Sequence, residues 1–479
     1  MNSSPNTDLT VCPICLQQLP GDLTSEGLEN HKRFCKQRAI EETRHQQEVA
    51  DVLNRFKPMS FEDVAQTLGC TVKRDRTTKI LTFAGYLLTY TEMEQINLIY
   101  AAESAAGKSW IPEELAAYFP DEDVVTLGGA SPTTFIHEAT NSKLASWDAV
   151  NKETIVNLSR KILIFLDQPS DLLLQKMRAF LSHDKREIVY KYADRSQKAG
   201  LRTRTTRLVG FATWAFCSTM FNMDEQERNR NLQLSPETTT EKILDAEDLL
   251  LERKGNRDAF RDKLLEDLRR QELMDRIRAL KDAAIRDVVI PPALLEQIRI
   301  TWREKHPKPI PRHIRDLDRL LSLIKSRALL NFALREQESS HRIIATFEDV
   351  EEVTAIYDEV ARANEMGLAP QALSIFEKIF CNFPSGIDRH GILSEYFKEF
   401  HRSLSPKRLE KEILPALESS GLVSEEADPS DKRRSIFYPH PPAYISSGGS
   451  SSNNVPPQVG VNEDLENPPL LHPRSPQTN

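Results

Sequence analysis

Two short segments carry the residues best suited to nucleotide chemistry. The first, Ala102–Ser109, has the spacing of a phosphate-binding loop. In such a loop Gly107 lets the backbone turn close to a phosphate, Lys108 reaches the terminal phosphates, and Ser109 can hold Mg²⁺. The second segment is an apolar run ending in Asp167, typical of a buried parallel strand that delivers a carboxylate to the same metal. Together, in this order, the two segments predict ATP and Mg²⁺ as ligands.

Two residues depart from the strict nucleotide-binding pattern. Ala102 stands where that pattern has Gly, and the Ala-rich stretch after it also fits an ordinary amphipathic helix. Gln168 follows Asp167 at the position where many such ATPases carry the Glu that activates the attacking water. A Gln side chain can orient water but cannot take its proton. The sequence therefore predicts nucleotide binding, with hydrolysis either slow or dependent on another carboxylate.

A metal site is indicated near the N-terminus by Cys12 and Cys15, with His31 and Cys35 after an interval of fifteen residues. The CxxC pair points two thiolates at one ion, and a His and a Cys four residues apart share one helix face. Four protein ligands predict a structural zinc site without an open position for catalysis. The arrangement resembles small CCHC-type fingers, some of which bind ubiquitin or other proteins and some nucleic acid. The alternative is two reduced cysteines and an incidental His–Cys pair.

Composition limits the class of protein. A chain of 479 residues has room for two to four domains. No run approaches the roughly eighteen apolar residues of a membrane span, and the polar start does not read as a secretory signal. The net charge of -8 excludes a uniformly basic coat, so any DNA binding must be local. Six cysteines, three of them clustered, suit a reducing compartment. We expect no membrane partner and a cytoplasmic, nucleoid-associated location.

The elements that must position these residues follow from the hydrophobic pattern. From 92 to 240, strand-like runs alternate with helical ones, which predicts an α/β sheet. Residues 60–91 read as a helix followed by short strands. Residues 241–287 are highly charged with Leu and Ile at helical spacing, which favours a solvated helical hairpin. Residues 311–336 predict an amphipathic helix begun by Pro. The tail from Pro439 has the composition of a disordered segment.

A basic hairpin is predicted just before the last buried strand. Between Asp184 and Arg207 the chain has eight basic and three acidic residues, a local charge of about +5. Two predicted strands flank the turn, and such a hairpin is suited to gripping a phosphate backbone. The candidate DNA contacts are Lys198, Arg202 and Arg204. The alternative is a solvated surface ribbon.

Residues 369–439 read as three helices followed by a β-hairpin, the pattern of a winged helix. Ser405 is the expected N-cap of the third helix. In this interpretation the third helix enters the major groove and the turn between the strands forms a wing. The candidate DNA contacts are Arg402, Lys407, Arg408 and Lys411 on or near the helix, and Lys432, Arg433 and Arg434 in the wing. The alternative is a winged helix that contacts proteins.

The order of these features resembles the minichromosome-maintenance branch of the AAA+ ATPases, which are replicative helicases that end in a winged helix. The resemblance covers about residues 92–365. Its more specific parts are the hairpin sequence KAGL, which begins at Lys198, and the helix sequence RDLDRLLSLI, which begins at Arg315. It implies an AAA+ core with a parallel sheet and a helical lid, DNA as a partner, and an oligomeric ring.

The resemblance also implies roles for individual residues. Lys198 would contact DNA, and Arg315 would sense the γ-phosphate. Ser218 or Thr219 would occupy the polar sensor position beside Asp167. Arg230 or Arg228 would be a trans-acting arginine finger. An arginine supplied by a neighbour would stabilise transition-state charge. Arg315 also fits an ordinary surface position on its helix. The departures from the family are Ala102, Gln168, the missing SRF-type finger motif and the missing N-terminal DNA-binding barrel.

The predicted fold class is an α/β AAA+ core, plus a small zinc finger and a C-terminal winged helix-turn-helix. The expected boundaries are 9–36 for the zinc finger, 37–91 for a linker and pre-core region, 92–240 for the AAA+ core, 241–365 for a helical insertion and lid, 369–439 for the winged helix, and 440–479 for the tail. The predicted function is a DNA-dependent ATPase acting as a helicase-like homo-oligomeric ring. The alternatives are a replication initiator or loader that uses ATP as a switch, and a non-hydrolysing scaffold recruited through the zinc finger.

Overall fold

The computed structural model of the chain describes residues 10–12, 18–19, 26–38, 56–102, 106–139, 142–194, 202–218, 230–429 and 433–440. Its helices are residues 26–38 (α1), Phe61–Leu68 (α2), Arg76–Leu87 (α3), Trp110–Ala116 (α4), Asp171–Leu181 (α5), Thr240–Gly255 (α6), Arg257–Glu266 (α7), Leu268–Ala283 (α8), Pro292–Lys305 (α9), Arg312–Leu330 (α10), Phe347–Glu365 (α11), Pro370–Lys378 (α12), Arg389–Phe400 (α13) and residues 406–419 (α14).

The strands are Thr10–Val11 (β1), Gln18–Leu19 (β2), Asn97–Ala101 (β3), Val124–Leu127 (β4), Ala145–Asp148 (β5), Glu153–Asn157 (β6), Ile162–Phe165 (β7), Glu187–Asp194 (β8), Arg202–Val209 (β9), Thr213–Ser218 (β10), Asn231–Leu234 (β11), Asp287–Val289 (β12), Gln337–Ser339 (β13), Arg342–Ile344 (β14), Ile387–Asp388 (β15), Val423–Ala427 (β16) and Ser435–Pro439 (β17). In the part of the chain that the structure describes, no helix is both long enough and apolar enough to cross a membrane.

A five-stranded sheet lies at the centre of the fold, in the order β11-β3-β10-β7-β4. Every neighbouring pair in it is parallel, which confirms the predicted α/β sheet. Parallel sheets are covered on both faces, so their strands read as continuous apolar runs. All six residues of β10 and all four of β7 are buried accordingly.

The two faces of this sheet pack into different layers. Leu98 and Cys217 point into a core that also contains buried residues of α2, α3, α4, α8, α10 and α11. Phe165 and Trp214 lie on the other face, where they pack with α5 and the underside of a second sheet. The rings of Phe165 and Trp214 are stacked, with their centroids 5.5 Å apart. The central strands are therefore held from both sides.

The short strands expected between residues 70 and 91 are absent, and this prediction was wrong. That segment forms α3 and a 3₁₀ turn at Leu88–Tyr90. Ten consecutive residues of α3, from Thr78 to Leu87, are buried. A helix covered on all sides has no polar face, so its sequence lacks the 3.6-residue period and reads as a strand.

The predicted hairpin before β10 is present as the antiparallel pair β8 and β9. It belongs to a four-stranded sheet in the order β5-β6-β9-β8, and the sequence pattern did not indicate β5 or β6. The chain passes from β9 to β10 through Gly210, whose φ is +77°. A Cβ at this position would lie 1.8 Å from Ser159 Oγ, so only glycine fits.

The charged segment that begins at residue 241 forms part of three helices, α6 to α8, instead of a solvated hairpin. Leu273, Ile277 and Leu280 of α8 are buried in the main core. The Pro-initiated helix was predicted correctly: α10 has Pro311 at its N-cap and ends at Leu330.

The C-terminal part contains the predicted three helices and β-hairpin, as α12, α13, α14, β16 and β17. A short strand, β15, adds to the hairpin to make the order β15-β17-β16. Helix α14 includes a π-helical turn at Leu409–Ile413. Ser405 occupies its N-cap position, but the Ser405 side chain makes no capping hydrogen bond.

Candidate functional site

The nucleotide-binding residues predicted from the sequence lie at one edge of the central sheet. Ala102 follows β3, Ser218 ends β10, and Asp167 and Gln168 follow β7 by two or three residues. Because β10 lies between β3 and β7 and all three are parallel, their carboxyl ends meet at this edge. Neighbouring strands are about 4.8 Å apart, so the two outer strands of this trio are about 10 Å apart. Open parallel sheets bind ligands at such an edge.

A hydrogen bond ties the phosphate-binding loop to the central strand. The thiol of Cys217 donates to the carbonyl oxygen of Lys108 at 3.2 Å. Burial raises the pKa of Cys217 to about 12, so the group is a neutral donor. The loop that contains Lys108 is therefore in direct contact with β10.

The side chain of Gln168 is held by Ser218, the last residue of β10. The Ser218 hydroxyl donates to Gln168 Oε1 at 2.7 Å. An amide has one acceptor and two N–H donors, so this bond leaves the donor end of Gln168 for other partners. Such donors can orient a water molecule but cannot deprotonate it. Thr219, the other candidate for the polar sensor, lies outside the described residues.

The phosphate-binding loop leads directly into a helix. Gly107 has a φ of +91°, and its carbonyl accepts from Ile111 N–H at 3.1 Å, which starts the turn of α4. Ser109 stands at the N-cap of α4 without a side-chain capping bond, so its hydroxyl is not committed to the helix end. Residues 103–105, at the start of the loop, lie outside the described residues.

A cavity of about 580 Å³ opens beside this loop. Its volume is within the usual range for sites that bind cofactors and small molecules. Much of its surface is apolar. Its lining includes Val72, Ala106, Gly107, Trp110, Ile111, Leu249, Arg253 and Arg402. The cavity therefore joins the turn at Gly107 to a largely apolar pocket.

Lys242 and Asp75 hold the wall of this cavity together, and the sequence pattern did not indicate either residue. The Lys242 ammonium pairs with the buried Asp75 carboxylate. It also donates to the carbonyl oxygens of Glu237 at 2.9 Å and Ala106 at 3.5 Å. Lys242 thus fastens the start of α6 to the phosphate-binding loop. Lysine in a highly charged helix gives no sequence signal for such a role.

The predicted trans-acting finger, Arg230, and the predicted γ-phosphate sensor, Arg315, lie elsewhere. Arg230 donates from Nε to Ser182 Oγ at 2.8 Å, and Asn97, the first residue of β3, donates to the Arg230 carbonyl at 3.5 Å. Arg230 and Arg315 line one cavity of about 390 Å³ at the opposite edge of the sheet, where β3 begins with Asn97. The five residues of β3 separate the two edges by about 13 Å. Within one chain, therefore, these arginines are not beside Lys108.

The cavity with Arg230 and Arg315 has more basic than acidic side chains in its lining. Arg178 and Arg319 also line it, together with two acids and a half-buried histidine. Burial lowers the pKa of that histidine, His183, to about 4, so it is neutral at physiological pH. Arg228, the rival finger, lies outside the described residues.

The hairpin candidates for DNA contact are partly described. Arg204 is exposed on β9, Lys198 lies outside the described residues, and the side chain of Arg202 is also outside them. Arg207 is committed to the fold: its Nε lies 2.6 Å from Glu153 Oε1, and its guanidinium also pairs with Glu187. Part of the local positive charge counted from the sequence is therefore neutralised within the sheet.

The C-terminal candidates divide into three groups. The exposed ones are Lys407, Lys411, Arg433 and Arg434. Arg408 pairs with Glu412 at 3.3 Å on the same helix. Arg402 lines the 580 Å³ cavity, apart from the other candidates. Lys432 lies outside the described residues.

Three of the four predicted zinc ligands are grouped. The ligand atoms of Cys12, His31 and Cys35 all lie within 4.8 Å of one another. Cys35 Sγ is 3.3 Å from His31 Nε2, as expected for residues one turn apart on α1. Thiolate and imidazole donors at this spacing can hold a metal ion and are compatible with zinc. Cys15, the fourth predicted ligand, lies outside the described residues.

A second histidine cluster was not indicated by the sequence. His306, His313 and Glu365 also place ligand atoms within 4.8 Å of one another. His306 uses both ring nitrogens within the protein: Nδ1 lies 2.9 Å from the Trp302 carbonyl oxygen and Nε2 lies 2.8 Å from Glu365 Oε1. These hydrogen bonds join the ends of α9 and α11.

No protein-family model matches this sequence, and no curated protein is significantly similar to it.

Proposed function

We propose that the chain binds ATP and Mg²⁺ at the carboxyl edge of its central sheet, as an AAA+ ATPase of the minichromosome-maintenance type. One observation carries this proposal: at the carboxyl edge of three neighbouring parallel strands, Cys217 of β10 bonds to Lys108 after β3, and Ser218 of β10 bonds to Gln168, which follows Asp167 after β7. In the proposed complex Lys108 binds the terminal phosphates, while Ser109 and Asp167 hold Mg²⁺. The apolar wall of the cavity receives the base.

The strand order supports the AAA+ part of the proposal. A polar sensor residue must stand between the phosphate-binding loop and the metal carboxylate to contact both the nucleotide and the attacking water. Strand β10 lies between β3 and β7, and its last residue, Ser218, stands in that position. The loop ends of β3 and β7 are thus bridged by the strand that carries the sensor.

The position of the two arginines favours a homo-oligomeric ring. Arg230 and Arg315 share a cavity about 13 Å from the phosphate-binding edge of their own chain. An arginine placed there can complete a neighbour's nucleotide site and stabilise transition-state charge. In this proposal each chain supplies Lys108 to one site and its two arginines to the next.

The proposed macromolecular partner is DNA. The exposed Arg204 of the β8–β9 hairpin and the exposed basic residues of the C-terminal part supply local positive charge in an acidic protein. In the C-terminal part, which we interpret as a winged helix, α14 is the recognition helix and the β16–β17 hairpin is the wing. At the N-terminus, Cys12, His31 and Cys35 would hold zinc with Cys15, and the ion would stabilise that small module.

A specific observation favours a second candidate function, in which ATP binding regulates the protein without rapid hydrolysis. The Ser218 hydroxyl donates to Gln168 Oε1, and an amide cannot take a proton, so this side chain offers no general base to the attacking water. A replication initiator or loader, or a scaffold recruited through the zinc finger, needs ATP binding without rapid turnover. DNA unwinding distinguishes the helicase from the initiator, and any turnover excludes the scaffold.

The first experiment measures ATP binding by titration calorimetry and then ATP turnover with and without single-stranded and duplex DNA. We expect Lys108→Ala to abolish binding, and Lys254→Ala, which removes an exposed lysine of α6, to leave it unchanged. Equal ATP affinity in wild type and Lys108→Ala would refute the phosphate-binding loop. Turnover stimulated by DNA would support the motor, whereas tight binding without turnover would support the switch.

A further inference from the structure

Arg402 lies in the loop that follows α13, in the C-terminal part of the chain. The sequence pattern grouped it with the DNA contacts of the winged helix. The structure places it in the wall of the 580 Å³ cavity that also contains Gly107 and Trp110. Its neighbours Lys407 and Lys411 are exposed and do not line this cavity. Among the described residues of the C-terminal part, Arg402 is therefore the one that lines this cavity.

The Arg402 guanidinium is positioned by groups from two parts of the chain. Its Nη2 donates to Thr238 Oγ1 at 3.2 Å. Its central carbon lies 5.6 Å from the ring of Tyr396 and 5.9 Å from the ring of Phe400, both on α13. Rings at this distance attract a cation and restrict its orientation. The side chain is held at the cavity wall before any ligand enters.

Thr238 belongs to the same short connection that fastens the phosphate-binding loop. Glu237 precedes it, and Lys242 follows four residues later, at the start of α6. Lys242 donates to the Ala106 carbonyl of the loop and to the Glu237 carbonyl. Residues 237–242 thus touch the loop on one side and Arg402 on the other. A ligand that fills the cavity must contact this connection from within.

We propose that Arg402 binds the nucleotide in this cavity by donating to an anionic oxygen of its polyphosphate. It thereby couples the position of the C-terminal helices to nucleotide occupancy. The inference rests on the proposed function, since it needs a nucleotide in the cavity. A guanidinium presents planar N–H donors to phosphate oxygens, which suits this role better than an ammonium. By linkage, the factor by which docking of the C-terminal part raises ATP affinity equals the factor by which ATP stabilises that docking.

The test compares the full-length wild type with Arg402→Gln, Arg402→Lys and Arg389→Ala. Arg389 is the matched control, because it lies on α13 and its partners are the exposed Glu410 and Glu425. ATP affinity is measured by calorimetry, and hydrogen exchange of residues 390–404 is measured with and without ATP. We expect Arg402→Gln to weaken ATP binding about tenfold or more and to remove the ATP-induced protection. Arg402→Lys should lose less, and Arg389→Ala should match wild type.

The outcomes separate this contact from the nucleotide site itself. If wild type binds ATP and Arg402→Gln binds it equally well, the contact is overturned while the proposed function stands. If Arg402→Gln speeds exchange without nucleotide but keeps the ATP-induced protection, Arg402 is only structural and the inference is overturned. If wild type binds no ATP, the proposed function falls, and this inference with it.

Discussion

Replacing Gln168 by Glu tests how this site handles the attacking water. In wild type, Gln168 Oε1 accepts a hydrogen bond from Ser218 Oγ at 2.7 Å. Glu has the same length as Gln, so one carboxylate oxygen can keep the Ser218 bond. Its second oxygen replaces the amide nitrogen, and the group that faces the water becomes an acceptor. We therefore expect Gln168→Glu to hydrolyse ATP faster than wild type.

The size of the gain follows from two opposing effects. A positioned general base contributes about 10²- to 10⁴-fold to a rate, or about 3 to 5 kcal/mol of barrier. The Ser218 hydroxyl binds a carboxylate more strongly than an amide, by about 1 kcal/mol, and so lowers the basicity of the introduced group. This removes up to about one power of ten. The expected increase in turnover is therefore about 10- to 10³-fold.

The assay is steady-state phosphate release at saturating ATP, with affinity measured separately. Lys108→Ala combined with Gln168→Glu is the blank, and Gln168→Ala is the control that removes both the Ser218 bond and the water-orienting donors. We expect Gln168→Ala to be slower than wild type. Turnover of Gln168→Glu within threefold of wild type, at unchanged ATP affinity, would refute this assignment of position 168.

Three further outcomes are expected. Cys35→Ser should lower bound zinc from about one ion per chain to near zero by elemental analysis, whereas Cys381→Ser should not, and equal zinc in both would contradict the metal site. Gly210→Ala should lower the free energy of unfolding by about 3 kcal/mol, since φ is +77° and the new Cβ meets Ser159, whereas Gly255→Ala has open space and should be near neutral. Burial lowers the pKa of His183 from 6.5 to about 4, so the native state excludes a proton that the unfolded chain takes up below pH 6.5. This group should therefore lower the free energy of unfolding by about 2 kcal/mol between pH 7 and pH 5, as measured from urea unfolding midpoints. If the His183→Asn variant shows the same pH dependence as wild type, His183 is not its cause.

The parts of the fold that could be predicted from the sequence are those with a local signal. The apolar runs at β7 and β10 read as buried strands because they are covered on both faces. The start of α10 was marked by Pro311, which fits the first turn of a helix. Helix α3 was not predicted, because burial on all sides removes the helical period from its sequence.

The candidate site shows the same division. Lys108 and Asp167 could be predicted as candidates because the spacing of a phosphate-binding loop and the end of a strand are properties of short segments. Asp75 and Lys242 are 167 residues apart in the chain and meet only through packing of α3 against the start of α6. The place of Arg402 in the cavity wall could not be predicted, because a sequence shows that a loop is basic but not which cavity it faces.

Strand β10 has a mechanical consequence. It is hydrogen-bonded along both edges, to β3 and to β7, so it cannot slide without breaking two rows of bonds. Phe211 and Ala212, which connect it to the β8–β9 hairpin, are both buried. The connection therefore has little compliance. The β8–β9 hairpin and the carboxyl edge of the central sheet are thus joined by one rigid strand.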